Sequence, residues 1–299
     1  MMETGRLPAL TLIRCLPSST SAAVAMALGA KAGAQNYSCA CASSTVAIGE
    51  AFRALRHGYI DRAIVGGSES PTEESLLKTW ESLRVLAPAG AHPALACKPF
   101  DVDRKGIVLG EGAVFFVMES LASAQERGAR IHAQVLGFGT SADAHHWTEP
   151  HSEGQQAAMR RALQDAELKP EDIVAINAHG TATTVGDRVE LDSLQSLFAP
   201  LSTPVSSTKS LHGHMLGASG AMELACCLVS LKTQTVAPTR NLHQPEACGS
   251  LHLVSGQALQ LLAPGPILSN SFAFGGSNAC LVVGPISKIK DHDHPTRHR

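Results

Sequence analysis

Between residues 131 and 283 one unit recurs: a short apolar run, a turn or cap, then a stretch with helical periodicity. The runs at 131–139, 173–178, 204–207, 250–254, 267–271 and 279–283 read as strands. The stretches at 154–165, 187–198 and 217–233 read as helices placed among them. Parallel strands need a crossover long enough to hold a helix, so this alternation predicts an α/β domain with a largely parallel sheet. The preceding region is less regular. There, 18–28 reads as a helix capped by Pro17-Ser18-Ser19, 35–40 as a short strand, and 42–56 as a helix stopped by Gly58. Residues 62–67 and 112–119 read as buried strands, with helical pieces between 69 and 96. The segment 287–299 is polar and reads as a disordered tail whose histidines are solvated.

Composition removes several function classes. A formal charge of −2 leaves no global basic surface for nucleic acid, although a local patch for an acidic carrier protein remains compatible with it. No run of 18 apolar residues exists, so no membrane span is expected. Arg6, Arg14 and the Ala-rich stretch 21–34 admit a targeting peptide, but Glu3 and the direct passage into a cysteine motif count against it. Eight cysteines form no CxxC pair, and Cys226-Cys227 lies in an apolar helical run as buried thiols do. Neither a zinc nor a disulfide framework is expected, which fits a reducing cytoplasm.

Four places carry chemistry. In SCACASS a short strand meets a helix, and a thiol at a helix start has its thiolate stabilised by the dipole and free N–H groups. Cys39 and Cys41 share a strand face, so the pattern alone leaves both open; the helix-start position favours Cys41. His179 ends an apolar strand in INAHGTATTVGD, where α/β sheets build their sites. His214 follows another strand, in SSTKSLHGHMLGASGAMEL, with Lys209 and His212 in the same loop. NSFAFGGSN (270–278) is a strand end with a Gly-Gly turn whose N–H groups can face an oxyanion.

Taken together these segments resemble the β-ketoacyl-acyl-carrier-protein synthases, the elongating condensing enzymes of the thiolase superfamily. SCACASS is similar to the family's nucleophile segment and selects Cys41 over Cys39. Ala178-His179-Gly180-Thr181 matches the first histidine motif, Lys209-Ser210-Leu211-His212-Gly213-His214 the second, and 270–276 the C-terminal NSFGFGG, with Ala273 for its first Gly. KPFDVDRKGIVLGEGA (98–113) matches as well, with Ile107 where Phe is usual. The resemblance implies a thiolase-like α/β fold of two βαβαβ-type halves with stacked mixed sheets. It divides the chain into 1–125, the C-terminal portion of the first half, 126–286, the second half, and the tail. Only 40 residues precede Cys41, so the first half is expected to be incomplete. Glu149, in DAHHWTEP, stands where the family commonly has a small polar residue.

The resemblance also implies roles. Cys41 carries an acyl chain received from a carrier thioester. His179 and His214, both neutral, polarise a malonyl-carrier thioester as it loses carbon dioxide. Lys209 is structural and electrostatic and pairs with Glu223. The Cys41 and Phe274 N–H groups form the oxyanion hole, and the Phe274 ring gates the nucleophile. Thr181 and Thr183 bind the phosphopantetheine arm. No metal or organic cofactor is expected. The partners are an acyl carrier protein and a second copy of the chain, with residues 35–40 near the twofold axis. A degradative thiolase would need a second catalytic Cys at the C-terminal turn, and Cys280 falls beyond it. Chain-initiating synthases pair Cys and His with Asn, which His214 argues against. The competing reading is an inactive fragment or a non-catalytic partner subunit.

Overall fold

The structure is a computed structural model that describes residues 8–286. The tail at 287–299 lies outside the described residues. In chain order the first part holds α1 (Thr11–Arg14), α2 (Ser19–Leu28), α3 (Ser43–Arg56), β1 (Arg62–Glu69), α4 (Glu74–Ser82), β2 (Gly112–Glu119) and α5 (Leu121–Glu126). The second part holds β3 (Gln134–Ala142), α6 (Ser152–Asp165), β4 (Ala175–Asn177), α7 (Thr184–Phe198), β5 (Pro204–Ser206), α8 (Lys209–His212) and α9 (Ser219–Thr233). It closes with β6 (Thr235–Val236), β7 (His252–Leu253), β8 (Leu259–Gln260), β9 (Ile267–Ala273) and β10 (Ser277–Gly284).

A six-stranded sheet, ordered β3-β10-β9-β4-β5-β7, organises the second part. The expectation of a largely parallel sheet needs refining. β9, β4, β5 and β7 run parallel, while β10 is antiparallel to both β3 and β9. The reason is local: three residues, Phe274 to Gly276, join β9 to β10, and a connection that short permits only a hairpin.

Side chains alternate across a strand, so a sheet covered on both faces needs strands that are apolar at every position. β10 meets this requirement. Cys280 and Val282 enter one core with Met159 and Leu163 of α6 and Leu191 and Leu194 of α7. Ala279, Leu281 and Val283 enter another with Ile48 of α3 and Leu224 and Cys227 of α9. The layers are therefore α6/α7, the large sheet, α3/α9, and then a two-stranded antiparallel sheet of β1 and β2. Val65, Val114, Phe116 and Met118 cover the far side of α3/α9.

Three expectations fail. Residues 35–40 form no strand: 35–39 take no regular structure and lie mostly exposed, and among the described residues no strand pairs with them. Strands 62–67 and 112–119 are covered on one face only; Ile64, Phe115 and Val117 point outward and are exposed. Ser18 occupies the N-cap of α2 but its side chain makes no capping bond, although Gly29 closes the helix in the left-handed conformation as a C-terminal glycine does.

Candidate active site

Three adjacent strands, β9, β4 and β5, run parallel, so their C-terminal ends share one edge of the sheet. Phe274 follows β9, His179 follows β4, and Lys209 to His214 follow β5. Neighbouring parallel strands thus bring together residues up to 95 positions apart, as sites at strand ends do in α/β sheets. Cys41 arrives from another layer. It lies in the single 3-10 turn Ala40–Ala42 that leads into α3, and α3 packs on the large sheet's inner face. Thr45 Oγ1 lies 2.7 Å from Ser271 Oγ of β9, and the Ala221 N–H of α9 donates to Ser44 Oγ at 2.9 Å.

All three predicted reacting side chains meet. The Cys41 sulfur and one ring nitrogen each of His179 and His214 lie within 4.8 Å of one another, and all three residues are buried. His214 Nε2 is 3.1 Å from Cys41 Sγ. The two imidazoles are 5.4 Å apart at an angle of 85°. They face a pocket of about 340 Å³ whose walls include Thr181, Thr183, Phe274 and Glu149. The two threonine hydroxyls stand 3.0 Å apart.

Lys209 is fully buried behind His179. Its Nζ donates to the His179 carbonyl at 2.6 Å, to His179 Nδ1 at 3.2 Å and to Glu223, on α9. Lysine carries donors only, so the contact to Nδ1 makes that nitrogen an acceptor and places the imidazole proton on Nε2. His214 is freer: its Nδ1 lies 2.9 Å from Ser219 Oγ, and a hydroxyl both donates and accepts, so Nε2 can either take or give a proton.

Electrostatics corrects one expectation. The helix start was expected to stabilise the Cys41 thiolate. Instead burial pushes the Cys41 thiol up to about 11, against the Lys209 charge and the Phe274 N–H, which pull it down. The thiol is therefore protonated at rest, and its nucleophilicity depends on an adjacent base. Both histidines are held well below the ordinary range, first by burial and then by the Lys209 charge, so both are neutral at pH 7. Burial likewise raises Glu223 to about 7, opposed by Lys209.

Two acids that the motifs did not single out hold the site. Glu190 is buried on α7 and accepts the N–H groups of His179 and Gly180, each at 2.8 Å. Asp187, one helical turn earlier, accepts the Phe100 N–H at 2.7 Å and lies 3.8 Å from Arg104. Gly275 and Gly276 adopt φ of +82° and +74°, a conformation that favours glycine, and so form the turn that aims the Phe274 N–H at the thiol. The available signal was a pair of acids at i and i+3 on the inner face of a helix otherwise buried through Leu191, Leu194 and Phe198.

A buried thiol beside two neutral imidazoles, with backbone N–H groups aimed at its sulfur, in an α/β scaffold, is an arrangement that can support thiol acyl transfer. Comparison with known proteins agrees with that class. Residues 3–124 match the β-ketoacyl synthase N-terminal domain and residues 132–243 the β-ketoacyl synthase C-terminal domain. Nodulation protein E of Rhizobium leguminosarum bv. trifolii is 40% identical over 268 residues, covering 89% of this chain and 65% of that protein. The 3-oxoacyl-[acyl-carrier-protein] synthase 2 of Staphylococcus aureus (strain COL) is 41% identical over 271 residues, with the same two shares. The crystal structure of a β-ketoacyl synthase from Burkholderia phymatum STM815 superposes with a TM-score of 0.90 at 35% identity, over 96% of this chain and 71% of that one. A type II polyketide ketosynthase, solved in complex with its acyl-carrier protein, superposes with a TM-score of 0.90 at 27% identity, over 94% and 70%. The chain belongs to the β-ketoacyl synthase family and has its thiolase-like fold. It spans about 65% of the length of the first two relatives.

Proposed function

We propose that this chain catalyses decarboxylative condensation of a malonyl thioester with an acyl group carried on Cys41, both delivered by an acyl carrier protein. The observation that carries the reading is the 3.1 Å contact between Cys41 Sγ and His214 Nε2, beside a His179 whose Nε2–H is fixed by Lys209. Because the thiol is protonated at rest, His214 takes its proton as sulfur attacks the acyl thioester. That proton passes to the departing carrier thiol when the old C–S bond breaks. The malonyl thioester then binds, and its carboxylate leaves as carbon dioxide. The electron pair of the broken C–C bond moves into an enolate, whose oxygen accepts a hydrogen bond from His179 Nε2–H and a second from His214 once its remaining proton has moved from Nδ1, which then accepts from the Ser219 hydroxyl, to Nε2. The enolate carbon attacks the acyl-cysteine carbonyl, and the N–H groups of Cys41 and Phe274 hold the new oxyanion. Collapse releases the β-keto thioester and the Cys41 thiolate, which regains a proton from solvent.

Thr181 and Thr183, paired at the pocket wall, suit the amides of a phosphopantetheine arm, and the Phe274 ring suits a gate. Two halves meeting near residue 125, association as a homodimer and a cytoplasmic location complete the reading. The exposed Ile64, Phe115 and Val117 support a second copy on that side. The complete Cys-His-His-Lys set speaks against a non-catalytic partner subunit.

The test is a two-step assay with acyl-carrier and malonyl-carrier. Peptide mapping should place the acyl group on Cys41, and C41A should abolish product. His179→Ala should lower decarboxylation by about 10²–10³ while leaving acyl transfer, because His179 acts only as an oxyanion donor. His214→Ala should lower both steps. An acyl group on Cys39, or equal losses in the two steps for His179→Ala, would overturn the assignment.

A further inference from the structure

We propose that Trp80 is a positioning residue for the Phe274 ring, a latch that a substrate lifts before its thioester reaches Cys41. The proposal rests on the reading of Cys41 as the acyl acceptor. α4 buries none of its residues. Its two half-buried positions are Leu77 and Trp80, spaced i and i+3 and so on one face. The Trp80 ring stacks on Phe274, with centroids 6.2 Å apart and planes 27° from parallel. That is an offset-stacked pair, which aromatic quadrupoles favour.

Phe274 is held at its other end by the reaction centre. Its own N–H points at the Cys41 sulfur. The next N–H, of Gly275, donates to the Trp147 carbonyl at 2.7 Å. The backbone of the turn is thus anchored, and the ring's freedom is set by what it leans on, which is α4. The helix is in turn continuous with the pocket mouth. Just past its C-terminus, Arg84 and Val85 line the same pocket, and Val85 accepts the Ile107 N–H at 2.7 Å. A molecule seated at the mouth therefore touches the segment that carries Trp80. Loosening the stack frees the ring above the thiol; tightening it closes access.

The experiment compares Cys41 modification by a bulky reagent, N-phenylmaleimide, and a small one, iodoacetamide, in the full chain. Trp80→Ala should speed the bulky reaction about 2- to 10-fold relative to the small one, the range an aromatic pair contributes. Trp80→Phe keeps a stacking partner and should stay within about twofold of wild type. The sequence contains two tryptophans, so Trp147→Phe leaves Trp80 as the sole tryptophan, excited selectively at the red edge where tyrosine does not absorb. Its fluorescence should change when Cys41 is loaded with either an acyl group or N-phenylmaleimide. An unchanged reagent ratio in a folded Trp80→Ala, or a Trp80→Phe as fast as Trp80→Ala, would overturn the latch. If Trp80→Ala does not fold, Trp80→Phe and the emission of Trp147→Phe decide, and unchanged emission on loading would overturn it. Failure of Cys41 to accept an acyl group from a carrier would instead sink the functional reading and leave the alkylation result standing.

Discussion

β10 and β2 have nearly the same character as sequences, SNACLVVG and GAVFFVME, and opposite fates in the fold. Both carry apolar side chains on both faces. β10 is buried along seven of its eight residues between α6/α7 and α3/α9. β2 turns Val114, Phe116 and Met118 inward and leaves Phe115 and Val117 exposed. The difference lies in what surrounds each strand, and it sets what each part contributes to the site. The strand ends of the six-stranded sheet carry His179, Lys209, His214 and the Phe274–Gly276 turn. The smaller sheet supplies no reacting group, and Cys41, although it precedes β1, is seated by α3 against the large sheet and α9.

The largest expected difference between the two strands is in stability. Leu281 is 1% exposed in the α3/α9 core, and Leu281→Ala should destabilise the chain by about 2–5 kcal/mol, the transfer loss plus the cavity left behind. Urea unfolding monitored by circular dichroism measures it. A loss below about 1 kcal/mol would mean that this layer is loosely packed, and the contrast with β2 would collapse.

A second expectation follows from burial of the thiol. With Cys41 raised to about 11, the reactive thiolate grows tenfold per pH unit up to that point, whereas an ordinary thiol levels off above about 8.5. Cys41 alkylation by iodoacetamide should therefore still be rising between pH 9 and 10.5, with both histidines neutral throughout. Peptide mapping over that range checks it. A plateau near pH 8 would show a solvated cysteine and break the claim that the large sheet sequesters it.

The third concerns the seat itself. Gly220 opens α9 against α3, and a Cβ there would stand 1.9 Å from Thr45 Oγ1 and 2.9 Å from the Thr45 backbone nitrogen. The backbone atom cannot rotate away, so Gly220→Ala should cost about 1–3 kcal/mol of overpacking. It should also move the 3-10 turn that holds Cys41. The check is a joint one: a lower urea midpoint together with slower acylation of Cys41. Loss of stability with acylation unchanged would mean that the turn is held from the β1 side instead.

How far the sequence reading carried depended on the range of the interactions. The bounds of β2 were legible to the residue, because a strand start at Gly112 and a stop at Glu119 are local signals. Cys41, His179, Lys209, His214 and Glu223 were legible because each stands in a motif, and parallel strand ends bring such motifs together. Residues 35–40 were misread as a strand because pairing depends on a neighbour, and composition does not report one. Glu190, Asp187 and Ser219 escaped because their importance lies in which backbone N–H or ring nitrogen they meet, across 5 to 87 positions of sequence. The protonated state of Cys41 escaped for the same reason. The helix start is local and favours the thiolate, while the burial that overrides it is set by residues distant in sequence, His214 among them.

The smallest expected effect is on the outer face of β2, and it separates two explanations of that face. Val117 is 62% exposed and pairs across the ladder with Ile64, itself 46% exposed. An exposed apolar residue has little transfer energy to lose, so Val117→Thr, which keeps β-branching, should change the stability of the dilute chain by no more than about 0.5 kcal/mol. If a second copy covers the face, the same substitution should cost more as concentration rises. Sedimentation at micromolar concentration should then show a weaker dimer, with the iodoacetamide rate of Cys41 unaltered. The unfolding midpoint of the wild type should rise with concentration, and that of Val117→Thr should rise less. A loss above about 1 kcal/mol in the dilute chain, with no concentration dependence, would mean that residues of the same chain already cover Val117, and β2 would resemble β10 after all.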